Sequence, residues 1–191
     1  MRHAAADIIR DEHRSLSAVV HALQHLVRQI REHQAKPDFR LLHAMLYYVR
    51  EYPERLHHPK EDRYLFSALR RRTHDADGVL DDLVHEHAQG EGLLNALTVA
   101  LSTFEAGADP DCKQFAEQVE RYAAFYWEHM RKEEEEVLPL AERVLSDDDW
   151  ATINAAFSTN RDPDFSKDRE ENFRRLFTRI VNLVPAPLGL G

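Results

Sequence analysis

One pattern is written twice in this chain, and it constrains the fold more than any other feature. His57-His58-Pro59-Lys60-Glu61-Asp62 and His129-Met130-Arg131-Lys132-Glu133-Glu134 share His-x-x-Lys-Glu with an acidic follower, and each runs on into apolar residues, Leu65-Phe66 and Val137-Leu138. Upstream of each lies a Glu-His dipeptide, Glu12-His13 and Glu86-His87, with 44 positions from His13 to His57 and 42 from His87 to His129. Each half therefore pairs a segment bearing a lone histidine with one bearing His-x-x-x-Glu. On an α-helix that last spacing stacks imidazole and carboxylate on one face, about 6 Å apart along the axis.

The surrounding sequence reads as helix. Ile9, Leu16, Val20, Leu23, Val27 and Ile30 mark the apolar stripe of a first helix from Ala4 to Gln34, closed by Lys36-Pro37. A second helix is expected from Asp38 to Arg72, with bends or local loosening at Pro53 and Pro59, because an interior proline costs about 3 kcal/mol. The third runs from Asp75 to Phe104 and is ended by EAGADP; the fourth runs from Pro110 to Val144. With only six glycines and 31% charged residues in 191, the chain reads as all-α, and long segments joined by short loops predict an up-down four-helix bundle over residues 1–145. Residues 146–191 are expected to form a C-terminal helical extension and tail. That extension holds a short helix capped by Ser146 and reaching Phe157, the polar loop NRDPDFSKD, a helix from Arg169 to Leu183, and an extended VPAPLGLG.

At about 100° per residue, Ile9, Leu16, Val20 and Val27 lie within about 60° of His13, which places His13 in the apolar stripe. His21 and His25 fall outside it and form a decoy His-x-x-x-His. On the fourth helix Tyr122, Phe125, Leu140 and Glu133 share the face of His129. In the acidic run Glu133 and Glu136 are expected inward, while Glu134 and Glu135 make a solvated face. His85 is nearly opposite His87, and the repeat selects His87. Six groups, His13, His57, Glu61, His87, His129 and Glu133, thus converge on one level of the core. Burying carboxylates there costs several kcal/mol each unless something neutralises them. A pair of metal ions does so, since imidazole and carboxylate suit iron and a carboxylate can bridge two ions.

The lone His, His-x-x-x-Glu, lone His, His-x-x-x-Glu order, with the HPKED and HMRKEE segments, resembles the hemerythrin-like, or HHE cation-binding, family over Ile8 to Leu145. The resemblance implies a hemerythrin-like four-helix bundle with two non-heme iron ions (Fe2+/Fe3+) bridged by oxo, hydroxo or water. His13, His57, His87 and His129 would be terminal ligands, and Glu61 and Glu133 would bridge. It also implies binding or sensing of oxygen, nitric oxide or iron. The alternatives are a diiron oxidoreductase (peroxidase, oxidase or nitric oxide reductase) and a metal-stabilised interaction scaffold. The oxygen carriers differ in having a second histidine where this chain has Glu91, and His-x-x-x-x-Asp in place of His129-x-x-x-Glu133. The first departure adds negative charge and disfavours reversible oxygen carriage. Glu91 and, ranked below it, His58 are the additional ligand candidates, and Tyr122 and Glu136 are expected to support the ligands from behind.

Other features read more simply. Arg70-Arg71-Arg72 complements a helix C-terminus. Glu54-x-x-His57 matches half of the ferritin-like signature, but no second copy exists. A formal charge of -9 disfavours nucleic acid and anionic membrane surfaces, and the lone Cys112 excludes an internal disulfide and a thiolate cluster. The expected partner is a small diatomic such as O2 or NO, the expected compartment is cytoplasmic, and a homodimer or protein partner would use the extension.

Overall fold

The computed structural model describes residues 4–33, 35–158 and 175–182, and all of its regular structure is helical. Helix α1 spans Ala4–Arg31 and stops where His33 takes a left-handed φ of 56°, so the expected end at Gln34 lies beyond it. Helix α2 covers 39–72, and the Asp38 carboxylate caps it by accepting the Leu41 amide at 3.1 Å. Helix α3 is Asp77–Glu105 and is followed by Gly107 at φ 78°, a conformation that favours glycine.

Helix α4 covers 113–144 and begins three residues later than expected from Pro110. Asp109 takes over the capping role there: its two carboxylate oxygens accept the amides of Lys113 and Phe115 at 2.9 and 3.1 Å, while Cys112 turns through φ 56°. Helix α5, Asp147–Ser158, is held by a reciprocal cap in which Ser146 Oγ accepts the Asp149 amide and Asp149 accepts the Ser146 amide. Of the second short helix expected in the extension, residues 175–182 are helical; NRDPDFSKD and VPAPLGLG lie outside the described residues.

The prolines in α2 do more than bend it. Arg50–His57 and Glu61–Phe66 are π-helical, as is Glu133–Val137 in α4. Pro53 and Pro59 have no amide hydrogen to continue an i→i−4 ladder, and the His58 amide reaches back five residues to the Pro53 carbonyl. The Leu138 amide reaches Glu133 in the same way. Wider turns advance each side chain by less than the α-helical 100°. Consecutive residues can then share a face.

Helices α1 to α4 pack as a closed ring, each touching the next and α4 returning to α1, and α5 lies across α1 and the second π segment of α2. The apolar core inside this ring is split in two. One part gathers Leu16, Leu23, Met45, Leu97, Phe115 and Tyr126, and the other gathers Ile9, Phe66, Leu80, Leu83, Val137 and Trp150. On every one of the four helices the break between the parts falls at the histidine or His-Glu positions of the repeat. No helix among the described residues is long and apolar enough to cross a membrane.

Candidate metal centre

The layer between the two apolar parts is polar and buried. His13, His57, His58, Glu61, His129 and Glu133 are all at most 5% exposed, and the His87 side chain is 7% exposed. Potential ligand atoms of His13, His57, Glu61 and Glu133 lie within 4.8 Å of one another, and those of His58, His87 and His129 form a second such group. The two carboxylates join the groups. Glu133 Oε2 is 3.2 Å from His13 Nε2, whereas its Oε1 is 3.4 Å from His129 Nε2 and 3.7 Å from His87 Nε2. Glu61 Oε1 is 3.2 Å from His57 Nε2, and its Oε2 is 3.8 Å from His87 Nε2. Each carboxylate thus turns one oxygen to each side.

Behind the imidazoles runs a ring of acids. His57 Nδ1 donates to Glu12 at 2.6 Å, His87 Nδ1 to Asp62 at 3.0 Å, His129 Nδ1 to Glu86 at 3.0 Å and His13 Nδ1 to Glu134 at 2.9 Å. The order is cyclic: an acid of α1 holds the histidine of α2, and so on until an acid of α4 holds the histidine of α1. With Nδ1 engaged, each ring presents Nε2 inward, the tautomer a metal needs. Tyr52 donates to Glu12 at 2.7 Å, and Lys132 bonds Glu86.

Protonation shows how the layer balances its charge. Burial alone would depress the His13 and His87 imidazoles, but the nearby Glu133 and Glu134 carboxylates lift His13 to about 9, and Asp62 with Glu133 lifts His87 to about 10. His57 is likewise raised against its burial by Glu61 and Glu12. Burial, then repulsion from His87 and His129, drives His58 well below the usual range, so it is a neutral imidazole. Burial and the nearby Glu133 raise Glu61, whereas His129 and His13 outweigh burial and hold Glu133 low. Protons sit where cations would be welcome.

The donor set fits a pair of metal ions. Both oxygens of Glu61 and of Glu133, with His87 Nε2 and His129 Nε2, are buried without a hydrogen bond, and His13 and His57 point their Nε2 atoms at each other 3.0 Å apart. Orphaned buried polar atoms of this kind are costly unless a ligand or ion satisfies them.

All six residues expected in the layer are brought together there. Other expectations come out differently. His58 joins the layer beside His87, the rings stacked at 4.1 Å, because the π turn lets His57 and His58 share a face. Glu91, ranked above it, is exposed and belongs to neither group. Glu136 is on the outside, 48% exposed and paired with Arg131, whereas Glu134, expected in solvent, holds His13. Tyr122 is buried, with its ring 5.1 Å from that of Tyr126, whose hydroxyl is the one that reaches His58 Nε2, at 3.3 Å. The acids Glu12, Asp62, Glu86 and Glu134 were not singled out, although the repeated Glu-His dipeptide and the acidic follower were their signal.

Comparison with curated proteins gives no match. The hemerythrin HHE cation binding domain matches residues 4–141, which include every histidine and carboxylate of the layer. By this match and by its all-helical ring of four packed helices, the chain belongs to the hemerythrin HHE cation-binding family.

Proposed function

We propose that the chain binds two non-heme iron ions in the polar layer and that the pair binds or senses a small molecule such as O2 or NO. The supporting observation is the division of each carboxylate between two histidine groups, which suits ions bridged by Glu61 and Glu133. In this reading His13 and His57 would hold one ion, and His87, His129 and His58 would hold the other. Bound iron supplies one-electron redox chemistry and a coordination position for the small molecule. The chain's own residues orient and shield. Glu12, Asp62, Glu86 and Glu134 fix the imidazole tautomers, while Phe66 stacks on His87, Phe125 on His129, and Phe157 meets the edge of His57. Every ligand in this scheme precedes residue 145, so 1–145 is the metal-binding unit and 146–191 its extension.

Anaerobic iron loading followed by elemental analysis and Mössbauer spectroscopy tests this reading. The expected result is about two irons per chain in a magnetically coupled pair; a chain that takes up none, or one isolated ion, overturns it. Loading also releases protons. His13 and His87, raised to about 9 and about 10, are protonated at neutral pH and must lose their protons to coordinate. Metal affinity therefore rises with pH up to that range. The metal-free fold behaves oppositely: the stability these raised groups contribute is complete below the ordinary histidine value of about 6.5 and is lost as pH rises through their folded values. A pH-indicator dye in weak buffer reads the released protons directly.

The ring of acids gives a third expectation. Glu12→Ala leaves the His57 imidazole unanchored and should weaken metal binding about 10- to 100-fold, measured by chelator competition. An unchanged affinity would mean that packing alone orients the ring.

A further inference from the structure

One buried acid has no part in that scheme. Glu54 stands on α2 just before His57; its side chain is 10% exposed, Oε2 is 3.5 Å from His58 Nδ1, and Oε1 is buried without a hydrogen bond. A glycine makes room for it. A Cβ on Gly90 of α3 would come within 2.5 Å of Glu54 Oε1 and 3.1 Å of its Cδ, so the carboxyl rests directly against the α3 backbone. Arg50, Glu54, Arg55, His87, Glu91 and Leu94 line a cavity of about 190 Å³ at this point. Arg55 and Glu91 are exposed and form its mouth, while Glu54 and His87 lie at its inner end. The cavity therefore leads from solvent to one of the proposed metal ligands.

Its lining selects by chemistry. With His87 deprotonated on binding metal and Glu54 ionised, the two arginines and two glutamates of the lining offset one another, leaving little net attraction for an anion or a cation. Arg55 is paired with Glu51, and Arg50 donates to the neutral side chains of Asn95 and Thr98. A buried carboxyl oxygen without a partner is costly, and a molecule with an O–H or N–H group removes that cost where an apolar diatomic does not. The space suits small molecules, since water occupies about 30 Å³ and organic ligands need pockets of about 300 Å³ or more.

We propose that this cavity is the entrance and holding site for a small, neutral, hydrogen-bonding molecule approaching the metal centre, anchored by Glu54. The inference rests on the metal-binding reading above, and hydrogen peroxide is the probe that tests it. Two ferrous ions each give one electron to one peroxide; with two protons from solvent the O–O bond breaks, two waters form and both irons become ferric. Stopped-flow oxidation of the iron-loaded protein by peroxide is compared with its reaction with nitric oxide. Gly90→Ala, which displaces Glu54, should lower the ratio of the peroxide rate to the nitric oxide rate about tenfold or more, with iron content unchanged. Glu54→Leu, which keeps bulk without hydrogen bonding, should do the same and covers the case in which Gly90→Ala fails to fold. An unchanged ratio, including equal slowing of both reactions, overturns the proposal.

An infrared arm needs no redox-active metal. Adding peroxide to zinc-loaded or metal-free protein should shift a carboxyl band that is absent from Glu54→Leu; no such shift overturns the proposal even where iron binds normally. If iron fails to bind, the metal reading falls, and the infrared arm on metal-free protein still decides whether the cavity holds the probe.

Discussion

Glu133→Ala should abolish paired metal binding and destabilise the metal-free protein by about 3 kcal/mol. Glu133 is 1% exposed and faces His13, His87 and His129 across 3.2 to 3.7 Å. Removing it takes the counter-charge away from the His13 and His87 imidazoles in a buried layer, with Glu61 as the remaining acid between the two histidine groups. The loss has a characteristic pH dependence. It is largest near neutrality and shrinks as pH approaches the values of about 9 and about 10 at which His13 and His87 give up their protons. Urea unfolding of both proteins across that range, with iron analysis, measures both effects. A variant as stable as the parent at neutral pH would show that the layer is not charge-coupled.

Trp150→Ala should cost about 3 to 5 kcal/mol and speed metal loss. Trp150 is 2% exposed and lies in the same apolar part as Ile9, Phe66, Leu80 and Val137, directly below the polar layer. Helix α5 is tied to the bundle at several further points. Asn154 accepts the Ala5 amide at 2.8 Å, Lys60 sits 5.6 Å over the Phe157 ring, and Arg72 bonds Asp149 at 2.8 Å. Emptying the Trp150 site therefore loosens both the start of α1 and the wall behind His57. Denaturant midpoints report the first consequence, and the rate of iron transfer to a chelator the second. An unfolding free energy within about 0.5 kcal/mol of the parent would mean that α5 does not support the core.

The bundle and most of its polar layer were legible because both rest on period. The apolar stripe of α1 and the spacing His57-x-x-x-Glu61 repeat at the α-helical interval, so a constant angle per residue aims them correctly. That assumption failed where the helix is not α. In Arg50–His57 and Glu133–Val137 the turns are wider, and the angles assigned to His58, Glu134 and Glu136 were wrong for that reason. The prolines announced a disturbance in α2 without giving its form. Glu91 was favoured by its place on α3, yet nothing local in the sequence shows that its side chain stays in solvent. Glu54 was visible only as half of another family's signature. Its setting depends on the absence of a side chain at Gly90, thirty-odd positions away, which periodicity cannot register.

The cyclic order of acids and histidines carries a consequence for assembly. Since each imidazole is steered by a carboxylate from the preceding rod, neither duplicated half owns a finished coordination set: the first half lacks the anchor for His13, and the second lacks the one for His87. Under the metal-binding proposal, metal uptake would report on closure of the whole circle, and a fragment ending between α2 and α3 would expose loosely aimed nitrogens, not half a centre.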